Sequence, residues 1–183
     1  LLTTEIAVYS AIAAALFFDF VNGFHDSANS IATVVGTRVL RPLYAVVIAA
    51  IANFAGPFIF GTAVAATVGK GIIQPSFSTV DVIFAGLIGA IIWDLITWYF
   101  GLPSSSSHAL IGGLIGSALL AGGTSALVFS GIEKTLTFIV VSPTLGFASA
   151  FGIALVVMYF FRNHTSSHVN KIFGRLQICS SIF

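Results

Sequence analysis

The sequence predicts an all-α, polytopic membrane protein with about five hydrophobic helical segments, including a broken helix and a re-entrant-like, serine-rich hairpin. Three observations predict it: composition, the spacing of the charges, and two polar islands inside apolar runs. Hydrophobic residues make up 57% of the 183 residues, charged residues only 7%, and the mean hydropathy is +1.06. A soluble domain carries about 25% charged residues. Seven Lys plus Arg and six Asp plus Glu cannot solvate a surface of this size. A soluble enzyme and a disordered chain are therefore excluded. A net charge of +1 leaves no basic face for nucleic acid. The single cysteine, Cys179, excludes an intrachain disulfide framework.

The charges are spaced as membrane spans require. Between Arg41 and Lys70 lie 28 uncharged residues, between Asp94 and Glu133 lie 38, and between Lys134 and Arg162 lie 27. A span needs about 20 mostly apolar residues. With no water to bond its backbone, such a run must be helical, and no sustained polar/apolar alternation favours strands.

Five segments follow in order: about 5–22, 43–66, 80–100, 106–122 and 135–161. The links are 36–42 with Arg38 and Arg41, 67–80 with Lys70 and Pro75, and 122–134 with Glu133 and Lys134. The tail after Phe161 carries Arg162, Lys171 and Arg175. The positive-inside rule places the Arg38/Arg41 link and this tail in the cytoplasm. Gly86/Ala90 and Gly112/Gly116 have small-xxx-small spacing, which permits close helix packing, although such pairs are ordinary in membrane helices.

The first polar island runs from Asp19 to Asn29. Asp19, Asn22, Asp26, Asn29 and Thr33 fall within roughly an 80° arc at about 100° per residue. A carboxylate in hydrocarbon costs about 2.5–3.5 kcal/mol on insertion scales, so such a stripe faces a cavity and binds something. Oxygen ligands suit a hard cation such as Na⁺, and a carboxylate can also carry a proton. The plainer alternative is a helix end in water at the interface. As a single helix, residues 6–36 would span about 46 Å, more than one crossing needs, which predicts a break near Asn22-Gly23.

The second island is Gly101-Leu102-Pro103-Ser104-Ser105-Ser106-Ser107-His108. Proline and serine before an apolar run predict a helix start. Its free N–H groups, dipole and hydroxyls suit an oxyanion such as phosphate. No Lys or Arg lies between residues 71 and 133. An anion there needs a co-bound cation, which argues for symport; a plain surface loop is the alternative. His108 either caps this site or bonds within the protein. Asp94, flanked by Trp93, Trp98 and Tyr99, is a helix-pairing group or a proton site, with pairing preferred.

Residues 22–35, Asn-Gly-Phe-His-Asp-Ser-Ala-Asn-Ser-Ile-Ala-Thr-Val-Val, resemble the signature of the inorganic phosphate transporter (PiT) family. Residues 93–108, Trp93 to His108, resemble its second block, in the family's order. The likeness covers about residues 5–178. It implies secondary transport of inorganic phosphate across the cell membrane, driven by Na⁺ or H⁺, with no cofactor. A divalent metal carried as metal–phosphate is a further form of cargo in the family. It implies two inverted repeats meeting near the midplane. Carried over by position, Asp26 and Asn29 would be cation ligands (of Na⁺, if sodium-coupled), with Asn22 adjacent, and Ser104, Ser105, Ser106 and Ser107 would contact phosphate. His25, Thr33, Asp94 and His108 are accessory candidates.

Each motif occurs once in these 183 residues. The expectation is therefore that residues 1–161 are one transport half, the first of two repeats. Residues 162–183 would be a cytoplasmic link towards the second, and a homo-oligomer is open. Two other classes remain as alternatives. An ion channel also uses polar stripes, and saturable uptake with fixed stoichiometry would separate it from a symporter. An intramembrane serine hydrolase lacks support, because no Gly-x-Ser-x-Gly elbow is present.

Overall fold

The computed structural model describes residues 2–60, 71–163 and 165–182. Six α-helices carry these residues: α1 (Leu2–Gly36), α2 (Pro42–Phe60), α3 (Val80–Tyr99), α4 (Ser106–Gly122), α5 (Phe129–Phe161) and α6 (Ser166–Ile182). Short 3₁₀ turns occupy Pro75–Phe77 and Gly123–Ala126. Among the described residues the β-structure is one isolated bridge, Ile73 to Leu127. Helices α1 to α5 are long and apolar enough to cross a membrane, so this is a multi-pass membrane protein. The expected end of the second span (residues 61–66) and the start of the next link with Lys70 lie outside the described residues.

The chain forms two compact units, residues 1–26 with 62–132, and residues 27–61 with 133–183. In the first unit α3 and α4 make an antiparallel helical hairpin. Thr79 caps α3 by accepting from the Val82 N–H. At its other end the Leu102 N–H reaches the Thr97 carbonyl (2.8 Å) and the Gly101 N–H reaches that of Trp98 (3.0 Å). Gly101 takes φ +64° there, the left-handed residue that this six-to-one closure requires. The outer ends of the hairpin are tied together: Gln74 N–H bonds the Ala126 carbonyl and Val128 N–H that of Ile72, both at 2.9 Å.

The hairpin seam is built from small residues and uses one of the two expected pairs. Gly86 faces Leu114, where an added Cβ would lie 2.9 Å from Leu Cδ2 and 3.1 Å from Cα. Gly113 faces the Gly86 carbonyl, while Gly112 and Gly116 face open space. The Gly86/Ala90 edge is thus used, and the Gly112/Gly116 edge is not. Both faces of α4 are apolar, so sequence spacing could not choose between them. The N-terminal part of α1 packs on α3 through Ala14 and Phe18 against Leu87, Ala90 and Ile91.

The expected break near Asn22-Gly23 is absent: α1 is helical over 35 residues. A helical glycine costs only about 1 kcal/mol against alanine. Breaking the helix in an apolar setting would strand backbone groups at several kcal/mol each. The helix therefore continues, and is longer than the roughly 30 Å hydrocarbon layer.

In the second unit, residues expected as a link form helix α6. It packs on α2 and on the turn after α1, where the Thr37 Oγ1 donates to Gln177 Oε1 at 3.1 Å. The Phe161 and Phe173 rings meet edge to face at 5.2 Å.

Candidate functional site

The first unit brings the start of the first motif, residues 22–26, together with the second motif. Ser106 is the first residue of α4 and is buried. Its hydroxyl donates to Asn22 Oδ1 of α1, across 84 positions of sequence. Asn22 lies fourteen residues before the end of α1, about 21 Å along a helix. The serine turn therefore meets the middle of a membrane-length helix, as a re-entrant hairpin does.

The four serines are not equivalent. Ser105 is the N-cap of α4, accepting from the His108 N–H at 3.4 Å. Its carbonyl accepts the first helical bond, from Ala109 at 2.9 Å. The N–H groups of Ser106 and Ser107 have no acceptor inside the helix by geometry. Ser107 and Asn22 both line a cavity of about 370 Å³, with Ser78 as the third polar group and Phe18, Leu87 and Leu114 among its apolar walls. Ser104 is half-buried and its Pro103 neighbour exposed. This arrangement offers an anion hydroxyls, two N–H groups and the positive end of a helix. His108 is exposed, with its backbone engaged by the cap.

Asp26 is half-buried on α1. One residue earlier, His25 Nε2 lies 3.4 Å from the Thr97 hydroxyl of α3. Phe24 packs on Trp98 with ring centroids 5.0 Å apart. Thr97 also donates to the Asp94 carbonyl at 3.1 Å. Asp94 itself is fully buried, and among the described residues neither carboxylate oxygen has a hydrogen-bond partner. The Thr97 hydroxyl that could have reached the carboxylate is turned onto the main chain. Its ionisable neighbours include His25 and Asp26. Sequence reading did not single out Thr97, although it lies inside the second motif block, one turn after Asp94.

Asn29 and Thr33 belong to the second unit. There they line an open hollow of about 1180 Å³ with Ser30, Asn53, Gln177 and Ser180. Asn53 and Gln177 were not singled out from sequence, where each is a lone amide in an otherwise apolar or mixed run. Among the described residues no three His, Cys, Asp or Glu side chains converge on a metal-sized site. The polar groups that line this hollow are amides and hydroxyls, oxygen donors of the kind a hard cation takes.

Comparison with known proteins gives a consistent family. The sequence profile of the phosphate transporter family matches residues 22–182. The chain is 54% identical over 170 residues to a probable low-affinity inorganic phosphate transporter of Rhizobium meliloti, covering 93% of this chain and 51% of that one. It is 40% identical over 168 residues to the low-affinity inorganic phosphate transporter PitA of Escherichia coli, covering 85% and 34%. A solved structure of a sodium-dependent phosphate transporter superposes with a TM-score of 0.78 at 30% identity, covering 84% of this chain and 40% of that one. The chain spans about half the length of the Rhizobium meliloti relative and of a Bacillus subtilis relative. With the profile matched over most of its length and both motifs joined in one fold, the chain belongs to the phosphate transporter family.

Proposed function

We propose that the chain takes part in secondary transport of inorganic phosphate across a membrane, coupled to Na⁺ or H⁺. The observation that carries this reading is the bond between Ser106 and Asn22. It sets the anion-suited start of α4 beside the helix that bears Asp26. In this reading Ser106 and Ser107, with Ser104 and Ser105 at the turn, receive phosphate, and Asp26, Asn22 and Asn29 receive the cation. No Lys or Arg lies between residues 71 and 133. The negative charge is then balanced by the helix end and by the co-bound cation, which couples the two. A second set of such elements completes the site, since the solved relative is more than twice as long as the matched part. That relative is sodium-dependent, which favours Na⁺. A metal–phosphate complex, if carried, is cargo at the same place.

The test is uptake of radiolabelled phosphate into vesicles. Residues 1–183 replace the matching segment of the Rhizobium meliloti relative, so that the assay reads this chain's side chains. Concentrative uptake that depends on a Na⁺ or pH gradient, and is lost on Asp26→Asn with insertion intact, is the expected result. Gradient-dependent uptake unchanged by Asp26→Asn refutes the assignment of the cation site. Non-saturable flux would favour a channel.

A further inference from the structure

The second unit carries Arg38, Arg41, Lys134, Arg162, Lys171 and Arg175, and Glu133 is its one acidic residue. Lys134 and Glu133 sit at the start of α5. The other five cations fall on the segments that gather at its far end. Val39, between the two arginines of the α1–α2 turn, approaches α6: a Cβ on Gly174 would lie 3.8 Å from its Cγ2. Thr37, just before Arg38, bonds Gln177 of α6. Phe161, just before Arg162, packs on Phe173 of α6. The Arg162 guanidinium stands 5.1 Å over the Tyr159 ring. All five cationic residues are exposed. No acidic residue occurs from Ser27 to Val80 or after Glu133, so this end of the unit holds no counter-charge of its own.

Helix α6 adds an apolar edge. Lys171 and Arg175 are four residues apart and share a face. Ile172 and Leu176 follow them around the helix. Ile172 is half-buried, and Leu176 is 54% exposed. Exposed leucine beside exposed cations, at the ends of membrane-spanning helices, matches the boundary between acyl chains and headgroups. A water-soluble anion would have no use for Leu176.

We propose that this basic end of the second unit binds the phosphate headgroups of anionic phospholipids. Arg38, Arg41, Lys171 and Arg175 supply the charge, and Leu176 meets the acyl chains. The positive-inside rule puts this end at the cytoplasmic leaflet, where anionic lipids attract such clusters. The site is independent of the transport reading, because it uses none of the residues assigned to cation or phosphate there.

The experiment is native mass spectrometry of the purified 183-residue chain in detergent with added phosphatidylglycerol or phosphatidylcholine. Phosphatidylglycerol should be retained selectively, and retention should fall as salt is raised towards about 1 M, where charges are screened. Each neutralised cation should weaken it about fivefold, so Arg38→Gln, Arg41→Gln, Lys171→Gln and Arg175→Gln combined should abolish selectivity. A charge-preserving set, Arg38→Lys, Arg41→Lys and Arg175→Lys, should keep it. Equal retention of the two lipids by the unmodified chain overturns the proposal and needs no variant. So does undiminished selectivity in the glutamine variant. Complete displacement of phosphatidylglycerol by millimolar inorganic phosphate also overturns it, assigning the cluster to a soluble anion.

Discussion

Breaking the hydroxyl–amide bond between α4 and α1 from either side should cost stability, and removing both partners should cost less than the two single losses added. Ser106 is 4% exposed and Asn22 is half-buried, so neither is replaced by bulk water when its partner goes. Ser106→Ala leaves the Asn22 amide oxygen without its donor, and Asn22→Ala leaves the hydroxyl without its acceptor. Each single change should destabilise by about 1–3 kcal/mol, the cost of an orphaned buried polar group. The double variant should then fall short of the sum. Interhelical hydrogen bonds in membranes couple by about 0.6 kcal/mol on average and about 1.7 at most, so a coupling in that range is expected. The assay is reversible unfolding in mixed micelles, read by tryptophan fluorescence. Both tryptophans, Trp93 and Trp98, lie on α3, and Trp98 contacts Phe24 of α1, so the signal follows the contact in question. Ser105→Ala provides the control. It removes the cap of α4, worth about 1 kcal/mol, yet should add independently to Asn22→Ala. If Ser106 and Asn22 prove additive within about 0.5 kcal/mol, the two motifs are not joined by this bond.

Other outcomes follow from the packing and the caps. Gly113→Ala drives a Cβ into the Gly86 carbonyl oxygen; about 1–3 kcal/mol of overpacking should outweigh the gain of up to about 1 kcal/mol in helix propensity. Gly116→Ala meets open space and should show only the gain, in the same unfolding assay. Asp94→Asn should leave stability level or raise it, because the carboxylate oxygens have no partner to lose; a loss above about 1 kcal/mol would mean that a partner exists. Arg38 has φ 60°, a left-handed conformation costing about 1–2 kcal/mol for a residue with a side chain. Arg38→Gly should therefore stabilise the fold while weakening phosphatidylglycerol retention, two readouts moving in opposite directions.

The sequence by itself determined the class of the protein and the position of nearly every helix. Hydropathy is a local sum, so the gaps between charges locate the spans without knowledge of their neighbours. Caps are local too: Thr79, Gly101 and Ser105 act within a turn of their own positions, and the start of α4 was legible from Pro103 and the serines. What the sequence left open was rotation and partnership. The hairpin helices are apolar on nearly all sides, so no amphipathic stripe says which face turns inward. The seam at Gly113 in place of Gly112 or Gly116 had to come from packing. The helix break at Gly23 was overestimated because its alternative, stranded backbone in an apolar setting, costs more than a glycine does. Among four consecutive serines, only the tertiary structure singled out Ser106 for Asn22. It also turned the Thr97 hydroxyl to the main chain and to His25, and gave the Asp94 carboxylate no partner among the described residues. A partnership across more than 70 residues is settled by how whole helices pack, and no window of local pattern contains that information.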